Sequence, residues 1–292
     1  MLYIRLVKLI SMVLCTFLLV GFAAGEADTQ PMYAPVRARL GVFSWQKENA
    51  TDEKALDEML KILVQVGASE VYQYMDAKTA PPLLKRAHEL QIDVYVLRGR
   101  REWSQDPDAM QMLKEVDRVA ALMAQMGDAG PAGLILDVEP YHSDAYRADP
   151  DRIMREYLSI MRRTYAYALE AGVPLILCIP RFYDTKGYIE ELNALVEEAS
   201  DAVAVMNYYK KDESGQIKTE IDASRRVGKR LIHVYELQQP GIHDLTERNT
   251  YHDDGLSAVW KSIDKLKAHF NYDGLTFALH DYTALREMLT RE

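Results

Sequence analysis

The sequence predicts a single (β/α)8 TIM barrel of the α/β class, and three observations carry that expectation. From about Leu40 onward, apolar runs rich in β-forming residues alternate with longer amphipathic stretches, and the runs number eight. Most are continuously apolar rather than strictly alternating, as parallel strands covered by helices are. A doubly wound open sheet shares this alternation, but no glycine-rich phosphate fingerprint follows the first run.

The expected strands span 40–45, 70–75, 93–98, 133–139, 174–180, 202–208, 231–236 and 274–279. Helix punctuation separates them. Asp106-Pro107 and Asp149-Pro150 each set a capping side chain ahead of a proline suited to the first helical position. Gly67, Gly127, Gly172 and Gly228 each close an amphipathic stretch shortly before a strand. Along 109–126, Met112, Leu113, Val116, Val119, Met123 and Met126 recur at helical spacing and form a face for packing on the sheet. The longest strand-to-helix loops fall at 99–106, 140–149, 209–217 and 237–253, which a barrel gathers at its C-terminal mouth.

Ahead of the barrel, Arg5 and Lys8 precede an apolar run from Leu9 to Ala24 followed by small residues. This is the pattern of a secretory signal peptide over 1–25, with cleavage near Gly25 or Ala27; the alternative is an uncleaved anchor. Residues 26–38 read as a short tether and 39–292 as the barrel, so the protein is expected to be secreted, periplasmic or on the cell surface. Cys15 lies inside the apolar run, leaving Cys178 in a core-like strand and no internal disulfide after cleavage. The 35 basic and 44 acidic residues give a net charge of -9, which disfavours nucleic acid and anionic membranes as partners. The histidines show no metal-binding spacing, and no metal or cofactor is expected. Asn49-Ala50-Thr51 matches a glycosylation sequon too common to assign.

Chemistry is expected at the end of the fourth strand. In "GLILDVEPY", Gly133, Ile135, Asp137 and Glu139 share one parity, and Leu134, Leu136 and Val138 the other. The apolar set must face the helices, so both carboxylates point into the barrel and rise toward its mouth. Two like charges in a partly desolvated site raise at least one pKa, which suits a general acid. The structural alternative is neutralisation by a neighbouring lysine or arginine.

"GLILDVEPY" resembles the fourth-strand signature of the family 18 chitinase-like glycoside hydrolases, "AVAVMNYY" resembles their sixth strand and "YDGLTFAL" their eighth. The resemblance implies Glu139 as general acid, Asp137 as its partner and orienter of a substrate acetamido group, and Tyr208 as a donor to that group's oxygen, beside Met206. Hydrolysis would then be substrate-assisted. Ile135 stands where that family has a further acid, Tyr209 where it usually has aspartate, and Ala278 near its sugar-stacking tryptophan.

A second mechanism uses Glu236 at the end of the seventh strand. If Ile232, Val234 and Glu236 face inward, Glu139 and Glu236 form the carboxylate pair of a double-displacement glycosidase; the opposite parity turns His233 and Tyr235 inward. The "VEP" of the fourth strand is similar to the Asn-Glu-Pro of the large clan of retaining barrel glycosidases, with Val138 in place of asparagine. Trp45, Tyr74, Trp103, Tyr141, Phe182, Tyr183, Tyr208, Tyr209 and Tyr282 supply rings where loops meet the mouth, as a saccharide cleft requires. Asn207, Gln238 and His280 are further expected ligand-binding residues, and Arg98, with Arg100 and Arg101, is expected to meet an anionic substituent or the two acids. The expected activity is hydrolysis of a polysaccharide or amino-sugar glycan. The alternatives are a non-catalytic glycan-binding barrel and a metal-dependent phosphodiesterase using His142, His233 or His280.

Overall fold

The computed structural model describes residues 39–291. The expected signal peptide and tether lie outside the described residues. Eight parallel strands close into a barrel in sequence order, with β8 returning to β1. They are β1 (Leu40–Ser44), β2 (Glu70–Tyr74), β3 (Asp93–Arg98), β4 (Gly133–Leu136), β5 (Leu175–Pro180), β6 (Ala202–Met206), β7 (Arg230–Glu236) and β8 (Leu275–His280). A principal helix follows each: α1 (Glu53–Gln65), α2 (Pro81–Glu89), α3 (Met110–Met126), α4 (Pro150–Glu170), α5 (Ile189–Glu198), α6 (Lys218–Val227), α7 (Leu256–Phe270) and α8 (Tyr282–Arg291). Among the described residues no helix is long and apolar enough to cross a membrane.

Strand parity divides the core in two. Alternate residues, among them Tyr72, Leu97, Ile135, Cys178, Ala204, Ile232 and Ala278, fill the barrel interior, while Val71, Leu134, Leu136, Val203 and Leu279 pack outward under the helices. The interior mixes large and small side chains: the Tyr72 ring lies where a Cβ on Gly41 would stand, 2.6 Å from it. At the N-terminal end, Glu70 accepts the Tyr72 hydroxyl at 2.6 Å and is paired with Arg39 at 2.8 Å and with Arg230. These groups seal the barrel floor with compensated charge.

Local chemistry sets most helix ends. Asp149 accepts from the Arg152 N–H and Pro150 takes the first position of α4, as expected from sequence. Gly228 ends α6 in the left-handed conformation, φ 67°. Two expectations are corrected. Asp106-Pro107 does not open a helix: residues Arg101–Gln105 form a 3-10 turn, and α3 begins at Met110 after Ala109, whose φ is 56°. The Asp106 carboxylate still reaches the helix through the Gln111 N–H at 3.3 Å. The fourth strand stops at Leu136 rather than 139, because only the Asp137 N–H, donating to the Arg98 carbonyl at 2.8 Å, extends the ladder before Pro140 turns the chain.

Candidate active site

A cavity of about 910 Å³ opens at the C-terminal mouth, lined from β1 by Phe43 and Trp45, from β4 by Asp137, Glu139 and Tyr141, and from β6 by Met206 and Tyr208. Glu236, Gln238, His280 and the segment around His243 to Leu245 line its other side. The turn after β4 therefore delivers both carboxylates to this opening.

The two acids meet different surroundings. Asp137 Oδ1 is buried without a hydrogen-bond partner. Burial, and then the charge of Glu139, pushes its carboxyl up to about 7, while His280 pulls the other way. Glu139 keeps 30% of its side chain exposed; its Oε1 accepts from the Tyr141 hydroxyl and its Oε2 lies 3.6 Å from His142 Nε2. No lysine or arginine pairs with either acid among the described residues, so the neutralised arrangement weighed from sequence is absent there. Tyr208 is driven well above the usual phenol range by burial and then by Glu236 and Asp137, which keeps its hydroxyl a donor.

Glu236 faces inward, with Ile232 and Val234 below it in the barrel interior. It is almost fully buried, and both oxygens are engaged: Oε1 accepts from the Gln238 N–H at 2.7 Å and Oε2 lies 2.9 Å from His280 Nδ1. Trp45 Nε1 donates to His280 Nε2 at 3.0 Å. An indole N–H can only donate, so Nε2 is the accepting nitrogen and Nδ1 carries the proton shared with Glu236. Burial opposes the charged imidazole, yet the Glu236 hydrogen bond and charge outweigh it and raise the His280 pKa. The Tyr208 ring lies 5.7 Å from that of His280.

Several expected site residues are elsewhere. Arg98 turns outward, Nε 3.1 Å from Glu115 and Nη2 3.1 Å from Asp76, because inward parity on β3 belongs to Tyr95 and Leu97. Trp103 is buried in the outer core, and Tyr183 and Tyr282 also pack there. Asn207 has outward parity and binds the Glu213 carbonyl at 3.2 Å and His233 Nε2 at 3.1 Å. Tyr74 stands at the rim, its ring 6.2 Å from Trp45 and between Lys47 and Arg98, outside the cavity lining. His233 is fully buried and its pKa is lowered to about 3 by burial, so it stays neutral and apart from His142 and His280. His233 therefore drops out of the phosphodiesterase alternative, whereas His142 and His280 both line the cavity. Arg181, His142, the loop at His243 to Leu245 and Asn249 line the cavity without having been singled out as its ligand-binding residues. Strand position identifies Arg181 only as the residue after β5, and the loop residues carry no periodic signal.

No family model matches the chain, and no curated protein matches it in sequence. Solved structures do match in shape. The C-terminal domain of a putative chitinase from Desulfitobacterium hafniense DCB-2 superposes with a TM-score of 0.53 at 12% identity, covering 86% of this chain and 99% of that one. The fold is that of the family 18 chitinases. A family 18 chitinase from Pseudoalteromonas aurantia gives a TM-score of 0.54 at 10% identity, covering 87% of this chain and 100% of its own. One from Cycas revoluta, in complex with (GlcNAc)3, gives 0.52 at 11% identity, covering 87% and 98%.

Proposed function

We propose that the protein is a secreted hydrolase of glycosidic bonds in a polysaccharide or amino-sugar glycan, with Glu139 as general acid and Asp137 as its partner. The observation that carries this reading is the pairing of an unpartnered, proton-retaining Asp137 with a solvent-reaching Glu139 in one cavity at the barrel mouth. A bound sugar strips water from Glu139 and favours its protonated form, the proton being the one that Asp137 holds in the free site and gives up to Glu139. Glu139 then gives its proton to the leaving glycosidic oxygen as the C–O bond breaks. The acetamido oxygen of the same sugar closes on the anomeric carbon, and Asp137, then ionised, offsets the positive charge on the resulting ring while Tyr208 donates to the group. Water opens that ring, returning its proton to Glu139.

Tyr141 holds Glu139 in place through its hydroxyl, and Trp45, fixed at its N–H by His280, offers a ring face to the cavity. Double displacement through Glu236 fits less well, since both of its oxygens are occupied and almost no surface is free for attack. Expressing Glu139→Gln and counting new reducing ends on a panel of chitin-type and peptidoglycan-type glycans tests the assignment. Turnover should fall by about 10²-fold or more with binding retained. Undiminished hydrolysis by the variant rejects Glu139 as the acid, and binding by the unmodified protein without any product identifies a glycan-binding barrel instead.

A further inference from the structure

The arginine expected to meet an anionic substituent, Arg98, is committed to Glu115 and Asp76, but another guanidinium stands at the site. Arg181 follows β5 and is the sole lysine or arginine among the residues lining the cavity. Its Cζ lies 5.0 Å from the centre of the Tyr209 ring. A guanidinium held over a ring by cation–π attraction can keep N–H groups free to fork onto a planar oxyanion. Arg181 has neither an ion pair nor a hydrogen bond to any described residue. By contrast Arg39, Arg98 and Arg230 are each paired with a carboxylate.

Position relates this cation to the proposed chemistry. Tyr141, which holds Glu139, has its ring 5.1 Å from that of Phe182, the residue after Arg181. Arg181, Phe182 and Tyr141 line the same cavity. The acids facing the same cavity are Asp137, Glu139, Glu236, Asp244 and Asp281. Glu236 is matched by His280, Asp281 accepts from the Ala284 N–H at 3.1 Å, and none of the five pairs with Arg181. The cavity therefore has an unspent positive charge on its β5 and β6 side.

We infer that Arg181, stacked on Tyr209, forms a subsite for a carboxylate carried by the glycan, so that the substrate class is an acidic glycan with a sugar-acid unit next to the bond cleaved. This rests on the reading of the cavity as a glycan cleft and sharpens it. The same chemistry is offered by a lactyl ether and by a uronate, which the test separates.

Binding is measured with Glu139→Gln protein, so that no probe is consumed. The probes are an alternating N-acetylglucosamine and N-acetylmuramic acid tetrasaccharide, an alternating N-acetylglucosamine and glucuronate tetrasaccharide, and the methyl ester of each. Esterification should weaken binding roughly 10- to 100-fold for the fitting acid, a charge-assisted contact being lost. A difference confined to the first pair identifies the lactyl group, one confined to the second identifies the uronate, and a difference in both leaves Arg181 reading the carboxylate alone. Adding Arg181→Gln should erase the gap, and Arg181→Lys should restore part of it. Equal affinity of both acids and their esters, no binding of any probe, or an acid preference that survives Arg181→Gln overturns the subsite. Selective binding of an acid by the Glu139-containing protein without new reducing ends sinks the hydrolase reading and leaves the subsite standing.

Discussion

Replacing Asp137 with asparagine should stabilise the protein above neutral pH while removing its activity. Asp137 Oδ1 has no partner in its buried position, and its carboxyl is raised from 3.8 to about 7 by burial and then by Glu139. A group whose pKa is higher in the folded than in the unfolded chain holds its proton more tightly when folded. Its favourable contribution is therefore complete near pH 4 and is lost as pH climbs to about 7. At about 1.4 kcal/mol for each pH unit, and with some water still reaching the group, the loss is on the order of 2–4 kcal/mol. Asparagine has the same shape and never ionises. The two proteins should thus unfold together near pH 4 and diverge above it, the variant melting roughly 5 °C or more higher at pH 8. Urea and thermal denaturation across pH 4 to 8 measure the gap, and glycan hydrolysis measures the activity. Melting points that differ by the same amount at every pH would refute an ionisation cost at Asp137.

Glu220 in α6 poses the same electrostatic problem away from the cavity: both of its oxygens are buried without partners, and burial pushes it up to about 8. Glu220→Gln should gain stability progressively from about pH 4.5 to 8 without altering hydrolysis, and a stability difference independent of pH contradicts this. Gly99 packs so closely on the turn after β4 that an added Cβ would stand 1.8 Å from the Asp137 carbonyl oxygen. Gly99→Ala should displace Asp137, costing about 10²-fold in turnover and roughly 1–3 kcal/mol in denaturation experiments; wild-type kinetics in that variant would disprove the close approach.

The architecture was legible because β/α alternation is a local signal repeated eight times. Each continuous apolar strand leaves only one placement, between a filled interior and a helix. Strand parity carried further, placing Asp137 and Glu139 on the inward side, while Tyr208 was reached only through the family resemblance. It was also ambiguous where both parities are apolar or mixed, as on β7, where Ile232, Val234 and Glu236 proved to face inward. Arg98 and Asn207 were misplaced because chemical type outweighed parity in their selection: both sit one residue out of step with the inward set. Trp103 was misplaced because a tryptophan in a mouth loop gives no sign of which way it faces, and here the 3-10 turn at Arg101–Gln105 folds it into the outer core. Arg181 was passed over since what distinguishes it, stacking on Tyr209 without a carboxylate, depends on a side chain from the neighbouring strand.

Of Glu70, Glu236, Glu139 and Asp137, the acids on the barrel floor and at the ends of β4 and β7, only Asp137 lacks a hydrogen-bond partner for its carboxylate. On the floor, Glu70 is surrounded by Arg39, Arg230 and the Tyr72 hydroxyl. At the mouth, Glu236 is held by His280 and a backbone N–H, and Glu139 reaches both water and Tyr141. Asp137 has Ile135 beneath it on the same face and no partner for Oδ1. A further acid at 135 would share the proton and spread the cost; isoleucine concentrates it on Asp137. Its carboxyl is thus the group most responsive to a cation arriving in the cavity, and positive charge developing on a bound sugar is such a cation. An arrangement that only gripped a glycan gains nothing from holding a carboxylic acid protonated near neutral pH, whereas one that must let positive charge form and collapse gains the whole difference between the two protonation states.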